Sequence, residues 1–577
     1  MSFSENLKAN FGGIDPRFQT AALYGTAILT AVYGLYLWLL PRPLAGIPYN
    51  KESVKSIWGD VLELRADTGG LAKWCGKQLE RHGTPICQAL MGPLSKPVVL
   101  VADVPETRAM LMGRSDFDRS AYIIDRFPLF GEFHLNMKTG DAWRTSRGWL
   151  KDLLDKPHLI SNMTPRIYGH VLTLLELWEK KSGLANGHSF SMVDDLRDLA
   201  LDVITNFHFG DDFTDSALAR QSHHVGQLDS KNTRLPVGKN GEVEFPQAPL
   251  HEFQEGLIET GDKMADIYTT VWPPALVSFW VRYISPHYRP FFGAKDRFIR
   301  DYINLALKRL NNNEPLQTGL DFMVSREKRG AVKAKKPSVI GKQTMVDEAY
   351  GNLIAGQHTT SAAMVWILKL LIDHPEVTNR LREELQTHLV EATQENRLPT
   401  VDEILNTRLA YLDAVLEEVL RLRAAMLVPR DTTRDTELLG NRIPKGTSIL
   451  LVCQGPDFSP SPSSAYWRGT KADAARQFPG KESKSPEHFD PMRWLVQNEK
   501  GELEFDGTTY PQLGFGLGVR SCWGRRLAYL EMRIMTTMVT LKFDFGQVAD
   551  ALTTHEASYD ISYRAKQGWV NLTSRGL

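Results

Sequence analysis

Residues 515–524 of the sequence read Phe515-Gly516-Leu517-Gly518-Val519-Arg520-Ser521-Cys522-Trp523-Gly524. Glycines at 514, 516 and 518 allow positive φ angles and the close backbone approach that a large flat ligand would need. The apolar pattern that follows predicts an amphipathic helix over residues 525–542, so Cys522 would lie at its start. Backbone N–H groups and the helix dipole there favour a thiolate, and Arg520 adds positive charge. Such a thiolate is a suitable ligand for haem iron. The alternative is a buried structural cysteine beside a flexible loop.

The overall composition is that of an ordinary globular protein. The chain has 577 residues, with 68 basic and 68 acidic side chains, and its formal net charge is zero. A nucleic-acid-binding protein would normally carry a basic excess, so nucleic acid is not an expected partner. The four cysteines, at 75, 87, 453 and 522, form no C-x-x-C pair. We therefore expect neither a zinc site nor a disulfide framework. The chain is suited to a reducing compartment.

The N-terminal region is apolar enough to cross a membrane. No charged residue occurs from Phe18 to Pro41, and about 20 helical residues span a hydrocarbon core. The stretch is longer than the apolar part of a signal peptide, and no clear cleavage site follows it, although a signal peptide and a buried core helix are the alternatives. Prolines in the segment that follows would stop the helix. The sequence thus predicts a tail at 1–19, a transmembrane anchor at 20–40 and a proline-rich hinge at 41–50.

The charges beside the apolar stretch predict its orientation. Arg42, Lys51 and Lys55 follow the stretch, whereas the basic residues before it are offset by Glu5 and Asp15. Because positively charged flanks stay on the cytosolic side, we expect the main domain to be cytosolic.

Two pairs of residues have the spacing of neighbours on one helix face. Trp143 and Arg147 are four residues apart, and Glu418 and Arg421 are three apart. Taken alone, the first pair could be a surface stack, and the second a surface ion pair worth roughly 0.2–0.5 kcal/mol.

A long helix is predicted over residues 343–373, because His374-Pro375 ends the pattern. It contains Ala355-Gly356-Gln357-His358-Thr359-Thr360. The small residues would let a large ligand pack on the backbone, and Thr359 could bond its own helix or bound oxygen. The alternative is a helix that merely packs closely on a neighbour at Ala-Gly.

Further elements follow from the pattern of apolar residues, turns and charges. They are a strand at 97–102, a core helix at 190–210, an apolar lid or buried helix at 272–281, a solvated basic loop at 326–336, a β-hairpin at 436–451 and an exposed insertion at 456–488.

The pattern Phe-x-x-Gly-x-Arg-x-Cys-x-Gly at 515–524 resembles the haem-binding loop of the cytochrome P-450 monooxygenases. The two helix pairs, the Ala355–Thr360 stretch and Phe489-Asp-Pro-Met-Arg-Trp494 resemble that family's other motifs and occur in its order. The resemblance implies a mainly α fold with a minor β region, in one large domain at 51–577 that holds haem b. Two positions depart from the family pattern. His358 stands where an acidic residue is usual, and Arg423-Ala424-Ala425 stands where a proline usually follows the Glu418–Arg421 helix.

The resemblance also implies roles for individual residues. Cys522 would ligate the iron, with Phe515 beside the haem. Thr359 would bind oxygen and His358 would deliver protons. The residues implied to hold the haem propionates are Trp143, Arg147, Arg430 and Arg520. The residues implied to form a buried triad that fixes the cysteine loop are Glu418, Arg421 and Arg493.

The implied function is insertion of one oxygen atom of O₂ into a small hydrophobic substrate. NADPH would supply electrons through a separate flavoprotein reductase, and membrane lipid is the further partner. The chain looks most like microsomal fungal members that act in secondary metabolism, which implies the endoplasmic reticulum. The alternatives are a general lipid or xenobiotic hydroxylase, and a haem-thiolate isomerase or dehydratase that needs neither O₂ nor a reductase. Relatives of the latter kind commonly lack a threonine like Thr359. A haem sensor without catalysis is a third alternative, disfavoured by the intact motifs.

Overall fold

The computed structural model describes residues 16–577 except 68–69, 122–123, 125–126, 152–158, 229–234, 270–272, 424–427, 453–487, 510–511 and 560–561. The predicted insertion up to residue 487, Cys453 and Trp272 therefore lie outside the described residues. Most of the described chain is helical. The helices are α1 Pro16–Leu39, α2 Val61–Ala66, α3 Gly70–His82, α4 Val104–Met112, α5 Asp141–Gly148, α6 Thr164–Ala185, α7 Val193–Phe209, α8 Ala217–Gly226, α9 Glu252–Thr269, α10 Pro274–Phe279, α11 Arg289–Asn311, α12 Gly319–Ala334, α13 Gln343–Asp373, α14 Pro375–His388, α15 Val390–Gln394, α16 Val401–Asn406, α17 Ala410–Arg423 and α18 Arg525–Lys542.

Short strands form the minor β part, which confirms the predicted fold class. They are β1 Ile86–Ala89, β2 Val98–Val101, β3 Phe117–Arg119, β4 Ser189–Ser191, β5 Glu242–Val243, β6 Val428–Thr432, β7 Thr436–Leu438, β8 Asn441–Ile443, β9 Ser448–Leu451, β10 Leu495–Gln497, β11 Leu503–Phe505, β12 Phe543–Phe545, β13 Ala557–Tyr559, β14 Tyr563–Ala565, β15 Trp569–Val570 and β16 Leu572–Ser574.

The largest sheet has the strand order β1-β2-β9-β6-β3. In this sheet β2 and β9 pair in parallel, and the other neighbouring strands pair antiparallel. A second sheet has the order β15-β4-β5. The remaining strands form the pairs β7-β8, β10-β11, β12-β16 and β13-β14.

Helix α13 runs through the largest hydrophobic core, and most of its residues are buried. It packs closely on α7, because a Cβ atom on Gly356 would lie only 2.6 Å from Ile204 Cδ1. The glycine at 356 is therefore explained by helix packing, which was the alternative interpretation of the Ala-Gly pair. Such contact removes apolar surface from water, which stabilises the fold by about 25 cal/mol for each Å² buried.

The structure confirms several of the predicted elements. The helices over 343–373 and 525–542 have the predicted bounds, and the strand at 97–102 is β2, Val98–Val101. The prediction of a core helix over 190–210 was wrong at its start. Residues 189–191 instead form β4, which pairs with both β15 and β5 and so gains ladder hydrogen bonds that a helix would not provide.

Two further predictions are corrected. The β-hairpin at 436–451 is confined to β7 and β8, because β9 turns away to pair with β2 and β6. The basic run at 326–336 is not a loop. It lies mostly in α12, where Thr318 and Asp321 form a reciprocal capping box that starts the helix. Lys328, Arg329 and Lys333 are exposed on its outer face, so these residues are solvated as predicted.

The N-terminal helix α1 stands away from the rest of the protein. Its segment Thr20–Leu39 has a mean hydropathy of 1.4 and is not buried. The helix ends before Pro41, and the segment that follows is held by Gln88. The side chain of Gln88 accepts a hydrogen bond from the Leu44 N–H at 2.7 Å and donates to the carbonyls of Leu44 and Ile47 at 2.8 and 2.7 Å.

The described part of the apolar stretch at 272–281, from Pro273, contains α10 and runs into one turn of π-helix over 280–284. Its large side chains are mostly exposed, which rules out the interpretation as an ordinary buried helix. The exposed residues are Leu276, Phe279, Trp280, Tyr283 and Ile284.

Candidate functional site

The cysteine loop is shaped by two glycines with positive φ, Gly516 at 63° and Gly518 at 68°. A Cβ atom on Gly518 would overlap the carbonyl oxygen of Leu111 in α4, so this glycine permits close approach of protein backbone. The Cys522 N–H donates a 2.8 Å hydrogen bond to the Phe515 carbonyl, which closes the loop. Helix α18 begins three residues later, at Arg525.

Cys522 is a free cysteine and is exposed. The protein around it raises the pKa of the thiol through burial. The backbone N–H groups of Gly524 and Arg525 and the charge of Arg147 act in the opposite direction. These groups would stabilise a thiolate once a cation took the place of the proton.

Buried guanidinium and indole groups lie next to the loop. Arg520 Cζ is 4.3 Å from the centre of the Trp143 ring, and Arg147 Cζ is 4.6 Å from that of Trp523. Arg147 Nη2 donates to the Ser521 carbonyl at 2.5 Å. Helix α5 supplies both Trp143 and Arg147, four residues apart, so its first turns face the cysteine loop.

These cations lie in surroundings that are poor in negative charge. Burial lowers the pKa of Arg147 to about 10, and that of Arg520 also to about 10, and each value is lowered further by a neighbouring guanidinium. Arg430, on β6, is the neighbour that acts on Arg520. Asp118 Oδ1 lies 3.5 Å from Arg520 Nη2, while in the described part of the chain no carboxylate lies within 4 Å of Arg147.

Arg520 is otherwise bound by hydrogen bonds to neutral groups. Its Nη2 donates to the Met137 carbonyl at 2.9 Å and to Thr139 Oγ1 at 2.8 Å. Trp143 Nε1 is buried and has no hydrogen-bond partner among the described residues. An indole N–H left without a partner and several clustered cations fit an anionic ligand that would bind between them.

Glu418 is fully buried at the centre of an ion-pair cluster. Its carboxylate accepts from Arg421 Nε and Nη2 at 2.8 and 2.9 Å, from Arg493 Nε at 2.8 Å and from Trp494 Nε1 at 2.9 Å. The Asp490 N–H adds a further bond at 3.0 Å. Helix α17 is thereby joined to the 488–494 segment that precedes the cysteine loop.

Thr359 and His358 point in different directions from α13. Thr359 is exposed although its neighbours in the helix are buried, and its hydroxyl donates to the Ala355 carbonyl at 2.7 Å. The His358 side chain is buried and faces Asp262 of α9 and Ser562, not the Thr359 hydroxyl. Sequence reasoning did not identify Asp262. No motif surrounds this residue, and only the packing of α9 on α13 brings it to His358.

Together these residues fit a haem better than another metal centre. In the described part of the chain, no group of three or more His, Cys, Asp or Glu side chains could hold a metal ion. A single thiol with an open face and buried cations beside it match an iron porphyrin, whose metal needs one protein ligand and whose propionates need cations. Phe515 lies against Tyr529, with ring centres 5.4 Å apart, at the edge of this loop.

Comparison with known proteins agrees with this geometry. A sequence model described as Cytochrome P-450 matches residues 53–455 and 481–566. The chain is 67% identical to the cytochrome P-450 monooxygenase xilC of Penicillium crustosum over 552 residues, which cover 96% of both chains. It is also 67% identical to xilC of Penicillium rubens, again over 96% of each chain. It is 28% identical to the cytochrome P-450 monooxygenase TRI13 of Fusarium sporotrichioides over 94% of this chain and 98% of that protein.

Proposed function

The chain belongs to the cytochrome P-450 family and is a cytochrome P-450 monooxygenase, and on that premise we propose its reaction, site and location. It inserts one oxygen atom of O₂ into a small hydrophobic substrate while anchored in the endoplasmic reticulum membrane. The observation that carries the proposal is the cysteine loop, which presents an open thiol beside buried, weakly compensated cations.

Cys522 would hold haem b through its sulfur, and Phe515 would lie beside the ring. Trp143, Arg147, Arg430 and Arg520 would hold the propionates. Haem bound in this way would supply the activation of O₂ and the oxidation itself, which protein side chains cannot perform. The protein would contribute binding, orientation and charge: an anion placed among these residues would pair with cations that now repel one another.

The Thr359 hydroxyl would control proton transfer next to the reacting atoms. Its hydroxyl already donates to the Ala355 carbonyl, so its lone pairs remain available to accept a second hydrogen bond. The hydroxyl can therefore hold a donor in place while its own proton stays on the helix. His358 would serve as a proton carrier because imidazole can both donate and accept.

Glu418, Arg421 and Arg493 would hold the segment before the cysteine loop in place. The Arg493 carbonyl accepts from Thr509 Oγ1 at 3.0 Å, and Gln512 Oε1 accepts from the Gly514 N–H at 2.7 Å. A buried charge cluster of this kind fixes one geometry, because a displaced member would leave an unpaired charge in the core.

The proposed chain organisation is a tail at 1–19, a membrane anchor at 20–40, a hinge at 41–50 and a cytosolic catalytic domain at 51–577. Its support is the exposed apolar helix α1 and the exposed apolar residues of α10 and the turn after it. Aromatic and aliphatic side chains of this kind are favoured at a lipid interface.

Electrons would come from NADPH through a separate flavoprotein reductase. The substrate class is proposed to lie in fungal secondary metabolism, because the most similar relatives reported above come from fungi. A general lipid or xenobiotic hydroxylase is the second candidate. Comparing the metabolites of a strain with and without the gene distinguishes the two, since a pathway enzyme leaves one accumulated precursor.

The ligand assignment is tested by the absorption spectrum of the ferrous carbonyl complex. Cys522→Ala is expected to lose the thiolate-type spectrum, whereas Cys87→Ala, which removes a buried thiol in β1, keeps it. A thiolate-type spectrum in the Cys522 variant would show that another residue ligates the iron. O₂ consumption by microsomes is expected to require NADPH, and consumption without NADPH would contradict the proposed electron source.

A further inference from the structure

A cavity of about 210 Å³, lined by both charged and apolar side chains, lies beside α13 and includes His358, where this chain departs from the family pattern. Four elements surround it. Its lining includes His358, Ser361 and Val365 from α13, Asp194 and Arg197 from α7, Asp262 from α9, and Arg564 from β14.

The His358 imidazole lies between groups from two other elements. Its Nδ1 is 3.4 Å from Ser562 Oγ, and its Nε2 is 3.6 Å from Asp262 Oδ1. The second distance is longer than a direct hydrogen bond, and Nε2 has no direct hydrogen-bond partner among the described residues. A buried ring nitrogen that faces a carboxylate across a cavity is suited to a bridging water.

Helix α9 reaches His358 because residue 261 is glycine. A Cβ atom at this position would lie 3.3 Å from His358 Cδ2, which is tighter than ordinary packing. The next residue, Asp262, therefore brings its carboxylate to the imidazole. It is held there by Arg564, whose Nη1 donates to Asp262 Oδ1 at 2.7 Å.

The Asp262 carboxylate is ionised at neutral pH. Burial alone would raise its pKa, but interactions with His358 and Arg564 lower it to about 2. The other charged residues of the cavity, Asp194 and Arg197, pair with each other at 2.6 Å. Asp262 is thus the carboxylate that acts on the imidazole.

We propose that Asp262 is a positioning residue for His358 and supplies, from α9, the carboxylate that the oxygen-binding groove lacks at position 358. The inference rests on the proposed function. Asp262 keeps Nε2–H directed towards α9, so that Nδ1 accepts from the Ser562 hydroxyl. Nδ1 takes up each proton and releases it again, while Nε2 keeps its hydrogen and stays directed at Asp262. The ring therefore ends each transfer neutral, and Asp262 remains ionised throughout.

Asp262→Asn tests the proposal in the full-length protein, with carbon monoxide as the probe. This variant keeps the shape of the side chain and removes its charge. We expect the C–O stretching band of the ferrous carbonyl complex to shift, because the imidazole is no longer held towards α9. Asp262→Glu keeps the charge and is expected to keep the band. Asp266→Asn is the matched control, since Asp266 lies one turn along α9 and pairs with Lys263.

O₂ consumption driven by NADPH and the reductase provides a second measurement. With Asp262→Asn, we expect the rate to fall about tenfold, as when a group that orients a functional histidine is removed. We also expect the ratio of rates in H₂O and D₂O to rise. A mere structural tie between α9 and α13 would not change this ratio. Unchanged band and ratio in Asp262→Asn would overturn the proposal.

A double variant provides the rescue. His358→Asp in the Asp262→Asn background returns one carboxylate to the groove and is expected to restore most of the lost rate. Failure of this rescue would also overturn the proposal. The proposed function fails separately: in that case the wild-type protein itself shows no thiolate-type carbonyl spectrum or no NADPH-dependent O₂ consumption.

Discussion

At the scale of single residues, Glu418 accepts hydrogen bonds from several side chains near the site. Two guanidinium groups and an indole N–H donate to it, and it is fully buried. Glu418→Gln removes the buried negative charge that Arg421 and Arg493 share. We expect a loss of roughly 3–5 kcal/mol in the free energy of unfolding, measured by urea denaturation together with haem retention.

The control for this prediction is Glu504→Gln. Glu504 also pairs with an arginine, Arg408, at 2.8 Å, but the pair lies at the surface. Ion pairs in water contribute little, so the midpoint of unfolding is expected to stay close to that of the wild type. Equal losses in the two variants would show that burial does not set the strength of the Glu418 cluster.

The titration of Asp202, in α7, makes the free energy of unfolding depend on pH in a direction that follows from its pKa. Burial raises the pKa of Asp202 to about 6, although the Ser216 hydroxyl and the N–H groups of Ala217 and Leu218 act against this rise. The folded state therefore holds a proton that the unfolded state has released above a pH of roughly 4. The contribution of Asp202 to stability falls as pH rises from about 4 to about 6, and is constant above that.

Asp202→Asn removes this titration. The wild type is expected to lose stability relative to the variant between pH 4.5 and 6, with no further change up to pH 7.5. Urea unfolding of both proteins at several pH values measures the difference. A difference that is the same at every pH would contradict the assigned shift.

At the scale of elements, the cysteine loop depends on its contact with α4. Gly518→Ala would drive a Cβ atom into the Leu111 carbonyl and would also strain a residue with φ of 68°. We expect this variant to lose most of its haem. Gly516→Ala has the same strain, of order 1–2 kcal/mol, but its nearest contact is an ordinary one, 3.8 Å from Ser521 Cα. It should keep more haem.

Gly293→Ala in α11 serves as the reference for these two variants, because nothing lies within 4 Å of its added methyl group. Alanine also favours the helix over glycine, so full haem content is expected. Absorbance of the pyridine haemochrome per mole of protein gives the haem content. Equal haem contents in the Gly516 and Gly518 variants would show that contact with α4 does not hold the loop.

The predictability of the elements depended on whether local sequence decides them. The helices over 343–373 and 525–542 were predicted with correct bounds, since their periodic patterns are long and end at clear signals such as His374-Pro375. The start of the helix at 190–210 and the end of the hairpin at 436–451 were predicted wrongly. In both cases a distant strand decides the outcome: Trp569 pairs with Ser191, and Val98 with Ser448.

The same distinction applies to the candidate site. Side chains within motifs, such as Cys522 and the Glu418–Arg421 pair, could be selected from spacing and family resemblance. Asp262 could not, because helix packing alone brings it to within 3.6 Å of His358. The contact of Gly518 with α4 was not predictable either. The glycine was interpreted as space for a ligand, whereas its neighbour is the Leu111 backbone.

At the scale of the whole molecule, we expect helix α1, the proposed anchor, to be separable from the rest of the chain. No residue of helix α1 over Thr20–Leu39 is buried, and a hydrogen bond from Tyr36 to the Lys55 carbonyl at 2.6 Å links it to the segment after it. Deletion of residues 2–39 is expected to leave the carbonyl spectrum intact and to weaken membrane association, measured by flotation with microsomes.

The exposed apolar residues after α9 should retain part of the membrane binding. Adding Phe279→Ser and Trp280→Ser to the deletion is therefore expected to release the protein into the soluble fraction. Val332→Ser is the matched control, because Val332 is exposed on α12 without apolar exposed neighbours of comparable size. Complete solubility of the simple deletion would contradict a second membrane contact.

The parallel pairing of β2 with β9 has a consequence for how this protein is made. Val98 pairs with Ser448, and Gly518 then packs on Leu111, so both contacts join chain segments that leave the ribosome far apart in time. Loop-closure entropy opposes such distant contacts until nearly all of the chain is available. The central sheet and the cysteine loop can therefore assemble only near the end of synthesis. Until then the nascent chain depends on its local helices, and on chaperones that shield its unpaired strands from aggregation.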